Sequence, residues 1–288
     1  MSIQRIPYDS PRSAFISALE KDGCVIATGF TNAETLEIAR QEVQPYLDVN
    51  DEKSQVGALN GGTKVCTKLI GRSKTVREKF FSDPLYQNMV HHFLALETTN
   101  WMGAEPSTNV CPPLLSISIT MSSGPGTPAQ KLHRDDKNHH ARHVAASSYT
   151  PNRDMLLGLF VPGCDTTKAN GATRVVPGSH LSDDEQPDFG EDGTKGVVDA
   201  ELKIGEAFMM LGSTYHGAGT YSLPDGQRVV HINFCCCGNL RQEEIPWLSY
   251  PVEDVKGYSE VVRERLGYKQ SEPNLGWVDL RSPEFLLA

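Results

Sequence analysis

The sequence predicts a mainly β core, a sandwich or barrel, buttressed by helices on its N-terminal side, and three observations carry that prediction. Up to Trp101, apolar residues recur at helical spacing between cap and stop signals. After Trp101, short alternating or β-branched runs are separated by Gly, Pro, Asn and Asp turns. The 288 residues suffice for a sizeable core, and β barrels and sandwiches of roughly 200–250 residues are routinely one domain. One domain over 1–288 is therefore expected, with a helical part to about 105, a β core from about 110 to 240 and a C-terminal extension over 241–288.

In chain order, Ser10-Pro11 reads as an N-cap and first helical position for a helix over Arg12 to Lys21, which Gly23 stops. Cys24 to Thr28 is a short strand ended by Gly29. Thr31-Asn32 opens a second helix whose apolar stripe is Leu36, Ile38, Val43 and Leu47. Asp51 to Arg72 is polar and contains glycine, and is expected to be a long loop of the kind that forms lids. Ser73 to Ser82 and Asp83 to Leu96 read as two further helices, the second begun by Asp83-Pro84. Strands are then expected at Leu114 to Met121, Met155 to Val161, Arg174 to Val176, Ala207 to Leu211 and Val229 to Cys236.

With 39% hydrophobic and 22% charged residues the chain has the composition of an ordinary globular protein. A net charge of −9 disfavours nucleic acid or an anionic membrane as partner, since both require clustered Lys and Arg. No apolar stretch approaches the ~20 residues of a membrane helix, and no signal peptide opens the chain, so a cytoplasmic protein is expected. The seven cysteines are odd in number and lack CxxC spacing, which points to reduced thiols rather than disulfides or structural zinc.

The chemistry centres on Gln130-Lys131-Leu132-His133-Arg134-Asp135-Asp136. On a strand, His133 and Asp135 would point to one face. An imidazole and a carboxylate so placed are two-thirds of the 2-His-1-carboxylate triad that holds Fe(II) with open coordination positions. An HxD tripeptide alone is also common by chance. A second histidine should lie far along the chain among small residues, and His216 in Gly212-Ser213-Thr214-Tyr215-His216-Gly217-Ala218-Gly219 fits. Arg228 then begins a strand on which Arg228, Val230, Ile232 and Phe234 share a face. An arginine on that apolar face needs an anion: a carboxylate ligand suits its fork, and a carboxylate of the chain itself would serve as well. His139, His140 and His143 form a competing cluster, with His139 and His143 four residues apart as on a helix, but without the glutamate of HExxH. The remaining histidines read as structural or surface groups.

His133-x-Asp135, Asn170-Gly171-Ala172-Thr173-Arg174-Val175-Val176-Pro177-Gly178-Ser179-His180, Gly205-Glu206-Ala207-Phe208 leading to Tyr215-His216-Gly217-Ala218-Gly219, and Arg228 resemble, in this order, the motifs of the phytanoyl-CoA dioxygenase family. The longer stretch Gly126 to Asp136 is similar to the fungal branch that modifies meroterpenoids and alkaloids. The resemblance implies a double-stranded β-helix (jelly-roll, cupin-like) core and an enzyme using Fe(II), 2-oxoglutarate and O2. It implies that His133, Asp135 and His216 ligate iron, that Arg228 binds the distal carboxylate of 2-oxoglutarate, and that Gln130 and Thr173 help hold the cosubstrate. For Gln130 this requires a bend near Pro128, because an unbroken strand would aim it away from the metal. It also implies a homodimer.

Asp135 in the carboxylate position argues against a halogenase, which needs that coordination site for chloride. Val230, Ile232 and Phe234, with a lid from Gln55 to Lys68, are the expected walls for a small hydrophobic substrate. The chain's acidity favours a polycyclic terpenoid or alkaloid over an acyl-CoA. A metal-binding β-barrel without turnover and a zinc hydrolase are the competing readings; neither needs Arg228.

Overall fold

Over Cys24–Thr28, Leu156–Pro162, Ala207–Leu211 and Arg228–Cys236 most residues are apolar and nearly all are buried, because each strand is covered on both faces. The computed structural model describes residues 2–49, 63–185 and 187–288. Its elements run β1 (Arg5–Pro7), α1 (Arg12–Asp22), β2 (Cys24–Thr28), α2 (Ala33–Asp48), β3 (Lys64–Cys66), α3 (Leu69–Arg72), a π-helical turn at Val76–Phe81 and α4 (Pro84–Leu94). There follow β4 (Leu96–Met102), β5 (Glu105–Cys111), β6 (Leu114–Ser123), a 3-10 turn at Asp135–His139, β7 (Leu156–Pro162) and β8 (Thr173–Val175). The rest comprises β9 (Val198–Ala200), β10 (Ala207–Leu211), β11 (His216–Ala218), β12 (Arg228–Cys236) and three short helices, α5 (Pro246–Ser249), α6 (Val252–Lys256) and α7 (Glu260–Arg265).

A seven-stranded sheet in the order β1-β2-β10-β7-β12-β6-β3 is parallel only at β1-β2, and a three-stranded sheet runs β11-β8-β9. Together they form the double-stranded β-helix. The period of two along each strand sorts the core into two layers. Val25, Ala27, Leu157, Leu159, Val161, Ala207, Met209 and Leu211 meet the helices, where Phe15, Val43, Tyr86 and Phe93 also pack. Cys24, Ile26, Leu156, Phe160, Phe208, Met210, Val230, Ile232 and Phe234 face the interior of the β-helix. The Tyr86 hydroxyl lies 3.1 Å from the Leu157 carbonyl and 3.0 Å from that of Asn233, fixing α4 on the sheet.

Most element expectations hold, with physical reasons where they fail. Gly23 ends α1 in the left-handed region at φ 71°, but Ser10 does not cap it: Pro11 occupies the cap position without a side-chain bond. Asn32 caps α2 by accepting from the Thr35 N–H, and Asp83 caps α4 by accepting from those of Leu85 and Tyr86. Ile38 is exposed; Ala39 takes its place on the buried stripe of α2. The loop expected over Asp51 to Arg72 contains β3 and α3, and its residues 51–62 lie outside the described residues, as does most of the Gln55 to Lys68 lid. Within Ser73 to Ser82, expected as a helix, Val76–Phe81 winds as a π-helical turn. The boundary at about 105 falls inside the β4-β5 hairpin, whose polar residues gave no apolar alternation to read.

Candidate active site

Main-chain pairing brings the two distant histidines together. His133 and His216 form an isolated antiparallel bridge, each N–H donating to the other's carbonyl at 2.9 Å. Gly217 permits this approach, since a Cβ there would stand 3.0 Å from the Lys131 carbonyl oxygen and 3.2 Å from that of Gln130. Asp135 is not on a strand as expected; it opens the 3-10 turn, its N–H donating to the Gly212 carbonyl at 3.0 Å. The turn nevertheless aims its carboxylate between the imidazoles, with Oδ1 3.4 Å from His133 Nε2 and Oδ2 3.3 Å from His216 Nε2. One donor atom from each residue lies within 4.8 Å of the others.

The protonation pattern suits a metal. Nδ1 of His133 lies 2.8 Å from the Lys131 carbonyl and Nδ1 of His216 lies 3.1 Å from that of Thr214. A carbonyl oxygen only accepts, so each Nδ1 carries a proton, and Nε2 is the atom left to offer a lone pair beside Asp135. Burial alone would raise the Asp135 pKa, yet with Nε2 also protonated the charge of His216 and hydrogen bonds from both imidazoles hold it well below the carboxylate range. The hydrogen bond to Asp135 in turn raises the His133 pKa. The donor set fits Fe(II), which takes imidazole and carboxylate together and retains open positions.

Beside the triad lies a cavity of about 180 Å³. β12 contributes Arg228, Val230, Ile232 and Phe234; β6 contributes Ile117, Ile119 and Met121; Gln130, Thr173, Ala218, Phe160 and Glu243 complete it. Arg228 is 6% exposed, and its Nε has no hydrogen-bond partner among the described residues. No described carboxylate pairs with it. Burial pulls its pKa down, the mark of a cation lacking an anion. A bound dicarboxylate would supply one. Gln130 reaches the cavity because the chain turns at Gly124 to Thr127, where the Thr127 hydroxyl donates to the Gly124 carbonyl. Gln130 then clamps β11, its N–H donating to the Ala218 carbonyl and its Oε1 accepting from the Ala218 N–H. Thr173 stands opposite Ala218 in the β8-β11 register.

The neighbours of the triad have separate tasks. Arg134, 3% exposed, donates to the carbonyls of Asp183, Ser179 and Ser182 and stacks over Tyr215. The acidic stretch from Ser182 to Asp184 thus anchors the turn that carries Asp135, with Asp184 pairing with Lys137. Asp136 is fully buried, its Oδ2 3.0 Å from His143 Nε2. His139 and His143 do not converge: the 3-10 turn ends at His139, and His139 Nε2 instead lies 4.0 Å from Glu243. His231 is buried opposite the cavity against Thr120 and Phe80, and His180 is buried with Nε2 3.0 Å from the Glu20 carbonyl. All seven cysteines are free, and all but Cys164 are buried.

Sequence reasoning missed Ile117, Ile119 and Met121 as cavity walls, although the alternation of β6 places them on one face. It also missed Glu243, which follows the last strand in a stretch without a motif. Burial raises its pKa, and the charge of Asp135 adds to that against hydrogen bonds from Ser116 and Asn138.

The profile of the family described as phytanoyl-CoA dioxygenase (PhyH) matches residues 19–225. Dioxygenase himG of Aspergillus japonicus is 33% identical over 280 residues, covering 93% of this chain and 84% of the relative. Dioxygenase swnH1 of Arthroderma benhamiae is 32% identical over 285 residues, with coverages of 98% and 91%. HygX from Streptomyces hygroscopicus, solved with nickel and 2-oxoglutarate bound, superposes with a TM-score of 0.57 at 14% identity over 80% of this chain and 88% of its own. SnoN, a non-heme alpha ketoglutarate dependent epimerase from nogalamycin biosynthesis, gives 0.56 at 16% identity over 78% and 80%. With more than two-thirds of its length inside the profile and these two relatives matched over 84% and 91% of their own length, this chain belongs to the phytanoyl-CoA dioxygenase family.

Proposed function

We propose that this Fe(II)- and 2-oxoglutarate-dependent dioxygenase oxidises a hydrophobic polycyclic natural product, by hydroxylation, desaturation or oxidative rearrangement, in secondary metabolism. The observation that carries this reading is the buried Arg228 guanidinium, which has no carboxylate partner among the described residues and lines the same cavity as His133, Asp135 and His216. A passive metal-binding barrel has no use for that arginine, and neither has a zinc hydrolase. His133, Asp135 and His216 are the proposed iron ligands, and Arg228, Gln130 and Thr173 the holders of the cosubstrate. When bound, iron with 2-oxoglutarate and O2 supplies the hydrogen-abstracting oxidant by oxidative decarboxylation to succinate and CO2.

The chain's own residues position the reactants. The carbonyls of Lys131 and Thr214 fix both imidazoles in the tautomer that presents Nε2. Arg228 sets the direction of the dicarboxylate by a two-point charge-assisted contact. Ile117, Ile119, Met121, Val230, Ile232 and Phe234 hold an apolar substrate and exclude water. Among the described lining residues Arg228 is the one Lys or Arg, so the phosphates of an acyl-CoA find no second base there. Relatives named as fungal dioxygenases support the natural-product reading.

Anaerobic addition of Fe(II) and 2-oxoglutarate should give a visible charge-transfer band, and oxygen should then yield succinate. A natural-product panel read by mass spectrometry should show gain of one oxygen or loss of two hydrogens. Absence of both band and succinate rejects the oxygenase reading; turnover of acyl-CoA alone rejects the substrate class. A cytoplasmic homodimer belongs to the same proposal, and light scattering of the purified protein tests its subunit number. No helix among the described residues is long and apolar enough to cross a membrane.

A further inference from the structure

Among the described residues the cavity holds one carboxylate besides Asp135. The chain after β12 returns along β6, where the Glu244 N–H donates to the Ser116 carbonyl at 2.9 Å, and this places Glu243 in the cavity wall. Two donors orient it: the Ser116 hydroxyl to Oε1 at 3.0 Å and the Asn138 amide to Oε2 at 3.2 Å. A carboxylate accepts about four hydrogen bonds, so acceptor capacity remains. The nearest basic group is His139 at 4.0 Å, an imidazole whose burial favours the neutral form. No Lys or Arg among the described residues pairs with Glu243.

Position along β6 separates this anion from the unmatched cation. Ser123 is paired with Arg228, and Ser116 holds Glu243. The two serines are separated by about 23 Å of strand at roughly 3.3 Å per residue. Arg228 and Glu243 thus stand toward opposite ends of one cavity whose remaining β6 and β12 walls are apolar. Arg228 is assigned to the cosubstrate, so the other end receives the substrate, and an anion in an apolar wall selects a cation.

We propose that Glu243 binds a positively charged nitrogen of the substrate, which makes the substrate a hydrophobic amine, protonated at neutral pH, rather than a neutral terpenoid or an acyl thioester. This assignment rests on the oxygenase reading for the place of the cosubstrate. Specificity arises because a neutral substrate would leave the carboxylate desolvated without compensation.

Isothermal titration calorimetry on the full chain loaded with Ni(II) and 2-oxoglutarate tests it at neutral pH. The probes are decahydroquinoline, a secondary ammonium, and 2-decalol, its neutral counterpart with the same ring skeleton. The amine should bind about tenfold or more tightly, the size of one charge-assisted hydrogen bond. Glu243→Gln should abolish that preference, and Glu243→Asp, which keeps the charge, should retain part of it. Equal or undetectable binding of both probes to the native protein overturns the proposal, as does an amine preference that survives Glu243→Gln. The charge-transfer band of the native protein judges the oxygenase reading separately: a band without amine preference rejects the role of Glu243 alone.

Discussion

His133 and His216 are joined through their backbones, with imidazole centroids 4.6 Å apart over a bridge of two 2.9 Å hydrogen bonds. The spacing of two side chains from opposite ends of the β core is therefore set by main-chain atoms. Neither imidazole is needed to maintain it.

His216→Ala should accordingly keep the fold and lose the metal. At a hundred times its Kd, Ni(II) should stabilise the native protein by about 2.7 kcal/mol, a rise in Tm of roughly 5–10 °C. Differential scanning fluorimetry should show no such rise in the variant. A rise of equal size would place the metal elsewhere.

Arg228→Met should have effects of opposite sign on cosubstrate and fold. Loss of one charge-assisted contact of about 2 kcal/mol raises the apparent 2-oxoglutarate requirement roughly 30-fold. The protein without 2-oxoglutarate should melt no lower than the parent, because a buried cation lacking an anion gives way to an apolar side chain. Lower stability, or equal loss of metal and 2-oxoglutarate binding, would mark Arg228 as structural.

Acid stability follows from buried groups away from the metal. Burial lowers His180 and His231 from 6.5 to about 4 each. Both are neutral in the fold, so the stability they contribute above pH 6.5 is lost as pH falls toward 4. Asp154 acts in the opposite direction: burial raises it from 3.8 to about 6, so its protonation favours the fold in the same window. Asp154→Asn should make the loss of stability between pH 6.5 and 4 steeper, by an amount on the order of 3 kcal/mol. Urea melts across that range measure it, and an unchanged slope would mean that Asp154 is already ionised there.

Asp136→Ala breaks the buried pair with His143 and should cost about 3 kcal/mol of stability. Below its melting range the variant should bind Ni(II) nearly as the parent does. A metal affinity as low as that of His216→Ala would bring Asp136 into the site.

The strands and the site were legible to different degrees. Ala207 to Leu211 could be read because burial on both faces demands an unbroken apolar run, and Val229 to Cys236 because apolar residues dominate it despite His231 and Asn233. The shared face of Arg228, Val230, Ile232 and Phe234 followed from the period of two. The hairpin at Leu96 to Cys111 was invisible because most of its residues face solvent, where no apolar pattern is required. Asp135 was placed near His133 for an incorrect local reason: a strand was expected, whereas a turn held by Gly212 and Arg134 aims the carboxylate. Glu243 had no signal at all, since its position depends on the chain returning beside Ser116, a contact across more than a hundred residues.

Gly217 sits between two clamps, the His133-His216 bridge on one side and the Gln130-Ala218 pair on the other. A methyl group there would press on the carbonyls of both Lys131 and Gln130. The spacing of the proposed metal ligands and the proposed grip of Gln130 on the cosubstrate are thus one mechanical joint with a shared tolerance of a few tenths of an ångström. Drift in sequence can reshape the apolar walls one residue at a time, but it cannot loosen one half of this joint without disturbing the other.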